Sequence, residues 1–324
     1  MNTHRRRLAL AAGLAPLAAA LPRFAAAQQA FESMLMFIPA GPGGGWDGTG
    51  RAIEQACRAA GLVSSFQFEN VGGAGGMVGL PRFVNQRKGT PNALMVGGSV
   101  MVGAGIQNKS PVTIKDVVPI ACLTEEAGVI VVPASSPHKT WKDLENAIKA
   151  NPRAVSVAGG SSGGTDHQLL GKIIKTLGRN PREAAYVAFA GGGPANAAIL
   201  GGQVTAGISG YSEFSEQIQA GRMRALAVSG TKRIPGVDVP TLSELGMNVS
   251  AANWRGVFGP PGINATQRQA LVTLMTRMHA SQAWKDLVVQ RKWTDVFLAG
   301  DAFSKMLAED ISSTEAVMKD LGLA

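Results

Sequence analysis

The glycine-rich segments of this sequence carry the residue types that bind anions. Residues 39–49 hold four glycines within positions 41–45 and lie between an apolar run and a helical pattern. Glycine lets backbone N–H groups approach a ligand closely, and a helix N-terminus adds partial positive charge and unpaired donors. The segment therefore predicts a carboxylate or phosphate site. Asp47 either contacts the ligand or only caps the helix.

A second segment of this kind, residues 159–167, adds hydroxyl groups to its glycines. A third lies at residues 190–195, and shorter candidates occur at residues 97–100 and 210–212. Two such segments facing each other could hold a carboxylate from both sides. The predicted ligand-binding residues are Ala40, Gly41, Gly43, Gly44, Gly45, Trp46, Asp47, Ser99, Ser161, Ser162, Gly164, Thr165, Asp166, His167, Gly192 and Tyr211.

Residues 159–164 also permit a rival interpretation as the nucleophile turn of a serine hydrolase. The pattern G-x-S-x-G occurs there twice, centred on Ser161 and on Ser162. Such an enzyme needs a distant histidine base. His279 lies on a helix whose apolar face indicates core packing, and His167 is too near in sequence. A hydrolase using Ser161 or Ser162 therefore stands only as the alternative to a binding protein without catalytic residues.

Other classes of function find little support. No G-x-x-x-x-G-K-[ST] and no well-placed G-x-G-x-x-G predicts a nucleotide site. The four histidines and two cysteines lack the spacing of metal ligands, so neither a metal nor a cofactor is expected. The basic residues are scattered rather than arranged in a stripe with aromatic residues, which argues against a nucleic-acid partner.

Residues 1–27 predict an export signal and hence a periplasmic location. Three arginines at 5–7 precede an apolar run at 8–21 and a small-residue cleavage site at 25–27. The apolar run is too short for a transmembrane helix. The arginines favour the twin-arginine route, with the ordinary secretory route as the alternative. Without the four arginines of the signal, the formal charge falls from +9 to +5.

The binding segments must be positioned by strands, because apolar runs alternate with helical patterns along most of the chain. Such alternation indicates parallel sheets covered by helices, with ligands beyond the carboxyl ends of the strands. The pattern restarts midway, which predicts two similar α/β lobes. Domain 1 is expected at 28–125 and 246–324 and domain 2 at 126–245, with crossings near 123–128 and within 229–246. The predicted strands are 34–38, 66–71, 93–97, 119–123, 129–132, 155–158, 186–189, 204–209, 225–229 and 254–258, and the main helices are 48–60, 141–150, 166–177, 265–278 and 302–321.

The two cysteines are predicted to be apolar packing residues. Cys57 falls on the apolar face of a predicted helix and Cys122 within an apolar strand, where a lone cysteine behaves as a small hydrophobe. An oxidising compartment would allow them to pair. A disulfide remains the alternative.

The order and spacing of these motifs resemble one known family. Residues 39–47 resemble the first binding loop of the receptors of tripartite tricarboxylate transporters, also called Bug receptors, with a Trp-Asp form similar to the tricarboxylate-type branch. The resemblance covers residues 31–324. Its further matches are residues 69–76, 159–167, 186–193, 200–204, 226–229, 239–242 and 253–258.

The resemblance implies a fold and a function together. It implies a type II periplasmic binding protein of the Venus-flytrap kind, with two doubly wound sheets and a ligand cleft between them. Such a receptor captures a tricarboxylate, dicarboxylate or related organic acid and delivers it to the membrane permease subunits of the transporter. It implies that loops 39–47 and 159–167 hold the carboxylate through backbone amides, hydroxyls and bound water. A monomer is expected.

Overall fold

Strands and helices alternate along the chain in the computed structural model, which describes residues 31–189 and 192–324. The predicted export signal lies outside the described residues. The strands within them are β1 Phe31–Ile38, β2 Val63–Asn70, β3 Ala93–Gly98, β4 Val118–Pro133, β5 Val157–Gly159, β6 Tyr186–Ala188, β7 Ala206–Gly210, β8 Met223–Val228, β9 Ala252–Gly259 and β10 Thr294–Ala299. The helices are α1 Gly45–Ala59, α2 Gly79–Gln86, α3 Ser99–Gln107, α4 Trp141–Ala150, α5 Thr165–Thr176, α6 Gly192–Leu200, α7 Tyr211–Gln219, α8 Ala265–Ala280, α9 Gln282–Gln290 and α10 Asp301–Leu321.

The sheet combines parallel outer parts with an antiparallel centre. Its strand order is β2-β1-β3-β9-β4-β7-β5-β6, with β8 and β10 also paired to β4. The pairs of β1 with β2 and β3, and of β5 with β6 and β7, are parallel, whereas every pair made by β4 or β9 is antiparallel. The parallel pairs bring the carboxyl ends of β1 and β5 to the loops predicted to bind ligand.

The long strand β4 corrects the prediction of two separate strands at 119–123 and 129–132. The strands predicted at 119–123 and 129–132 are one continuous strand, whose first part pairs with β9 and whose second part pairs with β7 and β8. The polar residues between them extend because Glu125 and Glu126 lie opposite Trp254 and Asn253 of β9. This pairing is a tertiary contact that local sequence does not reveal.

No separate element was predicted between the helices at 265–278 and 302–321, where the structure has the short helix α9 and strand β10. Thr294–Ala299 forms a strand because it pairs antiparallel with β4. The segment 97–100 also differs from the prediction of a loop: β3 runs to Gly98 and α3 begins at the next residue, Ser99. Local periodicity was too weak in these short segments to decide their structure.

The buried side chains form separate clusters on the two parts of the sheet. The first cluster draws on residues 34–123 and 254–311, and two further clusters draw on residues 129–249. Met247 and Val249 pack with Leu242 in the second cluster. Residues 247–249 thus pack with the second cluster, and Trp254 of β9 packs with the first.

Both cysteines are free thiols in the first cluster, and each is fully buried. Burial raises the pKa of Cys57 and of Cys122 to about 12, so both are protonated packing groups. Among the described residues, no helix has the length and apolarity needed to cross a bilayer.

Candidate functional site

The first glycine-rich loop ends in a helix without a side-chain cap. Helix α1 begins at Gly45, earlier than predicted, and its N-cap is Gly44, in an extended conformation with φ −83° and ψ 177°. Asp47 is thus not the N-cap but lies in the first turn. Gly43 has φ +83°, a conformation that favours glycine. The amide donors at the start of α1 therefore have no capping side chain to accept from them.

Asp47 holds this loop in place. Its carboxylate accepts hydrogen bonds from the N–H of Gly43 at 3.1 Å and from Nδ2 of Asn70 at 3.0 Å. Burial alone would raise its pKa, but these hydrogen bonds and the nearby Arg51 outweigh burial, so the pKa of Asp47 is lowered. Asn70 also donates to the carbonyl of Ala40 at 3.2 Å. The side chain of Asp47 is thus engaged in shaping the loop.

Trp46 and Ser99 are predicted site residues that the structure buries beside the loop. The ring of Trp46 is 7% exposed and belongs to the first core cluster, where Gly76 and Gly98 leave room for it. The hydroxyl of Ser99 accepts a hydrogen bond from the N–H of Trp254 at 3.0 Å. These contacts indicate packing roles that fix the strands behind the loop.

The second glycine-rich loop repeats the conformation of the first. Helix α5 begins at Thr165, and its N-cap Gly164 has φ −73° and ψ 179°, again without a side-chain cap. Gly163 has φ +73°, like Gly43. Nδ1 of His167 accepts the N–H of Gly163 at 3.2 Å, just as Asp47 accepts the N–H of Gly43. Two helices thus present uncapped N-termini built in the same way.

Asp166 and Tyr186 hold the second loop in place through hydrogen bonds to Gly160. Oδ2 of Asp166 accepts the N–H of Gly160 at 2.8 Å, and the hydroxyl of Tyr186 donates to the carbonyl of Gly160 at 2.8 Å. Burial raises the pKa of Asp166 to about 7, with Glu213 and Glu126 adding to the rise. Burial lowers the pKa of His167 to about 4, so its ring, stacked on Tyr186 at 4.3 Å, is neutral. Both side chains hold the loop through hydrogen bonds to its backbone, Asp166 at Gly160 and His167 at Gly163.

The serines of the second loop lack the partner that a hydrolase requires. Oγ of Ser162 accepts a hydrogen bond from Nε2 of Gln107 in α3 at 2.8 Å. Among the described residues, no histidine hydrogen-bonds to Ser161 or Ser162. His279, the downstream candidate, pairs instead with Asp295 at 2.9 Å. The hydrolase alternative is therefore not supported.

The two loops are linked through the glycine turn at residues 72–76. A Cβ atom at Gly72 would lie 2.9 Å from the backbone nitrogen of Gly41, and one at Gly75 would lie 3.6 Å from Cβ of Ser161. On the other side, the carbonyl of Gly163 would lie 2.1 Å from a Cβ atom at Gly103 of α3. The structure thus brings both predicted loops to one region between the core clusters.

A buried ion pair near the first loop was missed by sequence reasoning. Arg255 of β9 lies 2.8 Å from Glu126 of β4, and the two side chains are 3% and 2% exposed. Oε1 of Glu126 also accepts the N–H of Ser212 at 2.6 Å. The signal available in the sequence was a charged residue within each apolar strand, which is rare unless the charge is paired or functional.

The remaining predicted residues occupy the starts of two helices. Tyr211 is the first residue of α7, and its side chain is 5% exposed and packs in the third core cluster. Gly192 is the first residue of α6. Among the described residues, no three histidine, cysteine, aspartate or glutamate side chains converge on a possible metal position.

Comparison with known proteins identifies relatives that cover most of the chain. The family described as the tripartite tricarboxylate transporter family receptor matches residues 54–323. Protein BugT of Bordetella pertussis is 25% identical over 297 residues, which cover 89% of this chain and 88% of BugT.

Solved structures share the fold at lower sequence identity. MatC from Rhodopseudomonas palustris, solved with bound malate, superposes with a TM-score of 0.77 at 22% identity, covering 88% of this chain and 98% of MatC. Rpa4515 of R. palustris, solved with adipate, has a TM-score of 0.77 at 21% identity, covering 90% of this chain and 97% of that one. The predicted two-lobed periplasmic binding protein fold is thereby confirmed.

Proposed function

Because this chain belongs to the tripartite tricarboxylate transporter receptor family, we propose that it captures a small organic acid by binding its carboxylate at the N-termini of α1 and α5. The family consists of receptors and not of enzymes, and the chain acts accordingly by binding alone. The ligand class is a dicarboxylate, tricarboxylate or related organic acid.

The observation that carries this proposal is the repeated loop geometry. Gly44 and Gly164 cap their helices without side chains, and Gly43 and Gly163 turn the preceding backbone through a positive φ. Each helix N-terminus therefore offers unpaired N–H donors and partial positive charge to an anion. Two such ends on separate lobes suit a carboxylate held between them.

The ligands of related structures support the same chemical class. MatC is solved with malate and Rpa4515 with adipate, and both ligands carry two carboxylates. Because the proposed donors are backbone amides, these loops do not distinguish one particular acid from another. The loops determine the chemical class of the ligand. The other residues that line the cleft determine the size of the ligand.

The receptor works as a hinged trap. Domain 1 comprises the residues before the middle of β4 and those from β9 onward, and domain 2 comprises the residues between. The hydroxyl of Ser229 joins the two crossings, because it accepts the N–H of Gly128 at 2.9 Å and donates to the carbonyl of Ala251 at 2.6 Å. A ligand that touches both lobes stabilises the closed state by its differential affinity. The closed monomer then delivers the ligand to the membrane permease subunits of the transporter. It does so in the periplasm, after export by the twin-arginine route or, alternatively, by the ordinary secretory route.

A ligand screen by thermal shift tests the proposal. We expect malate, adipate, succinate or citrate to raise the melting temperature, since a ligand at 100 times its Kd adds about 2.7 kcal/mol to folding stability. The matched controls are the amides or alcohols of the same carbon skeleton, which should have no effect. Stabilisation by the uncharged analogues alone would contradict a carboxylate receptor.

A further inference from the structure

The first turn of α1 carries a glycine face that two arginines cover. Gly45 and Gly48 lie three residues apart and so share one side of the helix. A Cβ atom at Gly45 would lie 2.5 Å from Nη2 of Arg255, and one at Gly48 would lie 3.2 Å from Nη1 of Arg291. Both guanidinium groups therefore pack against the first turn of α1, on the side formed by Gly45 and Gly48.

The positive charge of this arginine pair is only partly balanced. Glu126 pairs with Arg255, whereas no carboxylate in the described part of the chain forms an ion pair with Arg291. Nε and Nη1 of Arg255 are buried without a hydrogen-bond partner. The ring of Trp293 lies 5.9 Å from the guanidinium carbon of Arg255 and 5.1 Å from that of Arg291. Unpaired buried donors are costly, and an anion would satisfy them.

Arg291 also lines a pocket between α1, α7 and α9. The pocket has a volume of about 400 Å³, within the range of small-molecule sites. Tyr211, Ser212 and Ser215 line it from α7, and Lys292 adds a second cation. None of the described residues that line it is an aspartate or glutamate. The pocket thus has two cations directly after α9 and hydroxyl-bearing residues on α7.

We propose that this pocket is a subsite for a second acidic group of the ligand, with Arg291 as its specificity-determining contact. The inference rests on the proposed function: one carboxylate binds at the N-termini of α1 and α5, and the second reaches Arg291. Arg255, fixed by Glu126, adds its positive charge next to the first turn of α1. The receptor therefore selects dicarboxylates or tricarboxylates over monocarboxylates.

Matched pairs of acids test this subsite by titration calorimetry. Succinate with butyrate, and adipate with hexanoate, differ by one carboxylate on the same carbon chain. We expect wild-type protein to bind at least one diacid tenfold or more tightly than its matched monoacid. The variant Arg291→Gln should weaken the diacid at least tenfold and change the monoacid less than twofold, and Arg291→Lys should retain part of the preference. Lys285→Gln is the control, since it removes the same charge from an exposed position of α9 that does not line the pocket.

The outcomes separate this inference from the function on which it rests. Equal weakening of diacid and monoacid by Arg291→Gln, or an unchanged diacid preference in a variant with a wild-type melting temperature, would overturn the second subsite only. Binding of both acids with equal affinity by the wild-type protein would do the same. If no carboxylate binds to the wild-type protein, the proposed function itself fails, and the subsite falls with it.

Discussion

Asp47 and His167 hold corresponding positions in the two loops that we propose bind the ligand. Each lies in the first turn of its helix and accepts the N–H of a glycine with positive φ four residues earlier. Sequence alone left open whether Asp47 caps a helix or contacts a ligand. The contacts favour a third role, in which the side chain fixes the loop so that the following amides face the cleft.

The contribution of Asp166 to the free energy of unfolding falls as pH rises. Its pKa is about 7 in the folded protein against an ordinary 3.8, so between these values the folded protein keeps a proton that the unfolded chain has lost. Asp166→Asn removes this titration. We expect the free energy of unfolding of the variant, relative to wild type, to increase from pH 5 to pH 8 by about 2 kcal/mol or more. Urea denaturation at the two pH values measures it.

Asp47→Asn is the matched control for this pH effect. The pKa of Asp47 is lowered, so its contribution is fully present above pH 4 and is lost only as pH falls below that value. The variant should cost about 1–2 kcal/mol through its lost hydrogen bonds, equally at pH 5 and pH 8. A difference between wild type and Asp166→Asn that is independent of pH would contradict the protonated state of Asp166.

Glu126 neutralises the buried Arg255. Glu126→Gln leaves that guanidinium charged and unpaired, so we expect the free energy of unfolding to fall by about 3 kcal/mol. Adding Arg255→Met should recover most of this loss, because the unpaired charge disappears. Asp238→Asn is the control, since Asp238 forms its ion pair with Arg233 while 99% exposed and should change stability by less than about 0.5 kcal/mol. Equal losses for the single and double variants would contradict the ion pair.

At the scale of an element, the uncapped N-terminus of α1 predicts opposite effects on stability and binding. Gly44 has an ordinary φ of −83°, and a Cβ atom there would meet only the carbonyl oxygen of Gly41 at 3.9 Å. Gly44→Asp therefore fits the fold and supplies a cap worth a few tenths of a kcal/mol. Its carboxylate should occupy the amides that bind the ligand and weaken affinity by more than tenfold.

The control for Gly44→Asp adds the same charge at another helix start. Asn264 caps α8 at an exposed position, so Asn264→Asp should leave ligand affinity unchanged. Calorimetric titration and a melting curve measure both variants. Unchanged affinity in correctly folded Gly44→Asp would remove the first loop from the site.

At the scale of the whole molecule, closure depends on the contact of α3 with the second loop. A Cβ atom at Gly103 would lie 2.1 Å from the carbonyl oxygen of Gly163, so Gly103→Ala separates these elements. Alanine favours the helical conformation over glycine by about 1 kcal/mol, so the substitution should not destabilise helix α3 itself. We expect at least tenfold weaker binding and, at saturating ligand, a larger radius of gyration than wild type by small-angle scattering.

Gly105→Ala is the matched control on the same helix. A Cβ atom at Gly105 meets Sδ of Met77 at 3.6 Å, an ordinary contact. This variant should bind and compact like wild type. If wild-type protein shows no compaction with ligand, the trap mechanism is wrong, and pairing of the two loops around one ligand is wrong with it.

The sequence by itself determined the features that depend on local chemistry. Glycine spacing predicted both loops, because glycine adopts the positive φ of Gly43 and Gly163 without the strain of other residues. Alternating periodicity predicted most strands and helices to within a few residues, and the order of motifs predicted the receptor family, which the comparison confirmed. These properties are encoded over a few neighbouring residues or in the linear order of the chain.

Only the tertiary structure decided the features that depend on distant partners. The union of two predicted strands into β4 follows from its pairing with β9, β7 and β8. The strand β10 exists because β4 pairs with it. The pairing of Arg255 with Glu126 joins residues that lie far apart in the sequence. Strand pairing and the neutralisation of buried charges depend on residues that come into contact only after folding. The local sequence pattern therefore does not predict them.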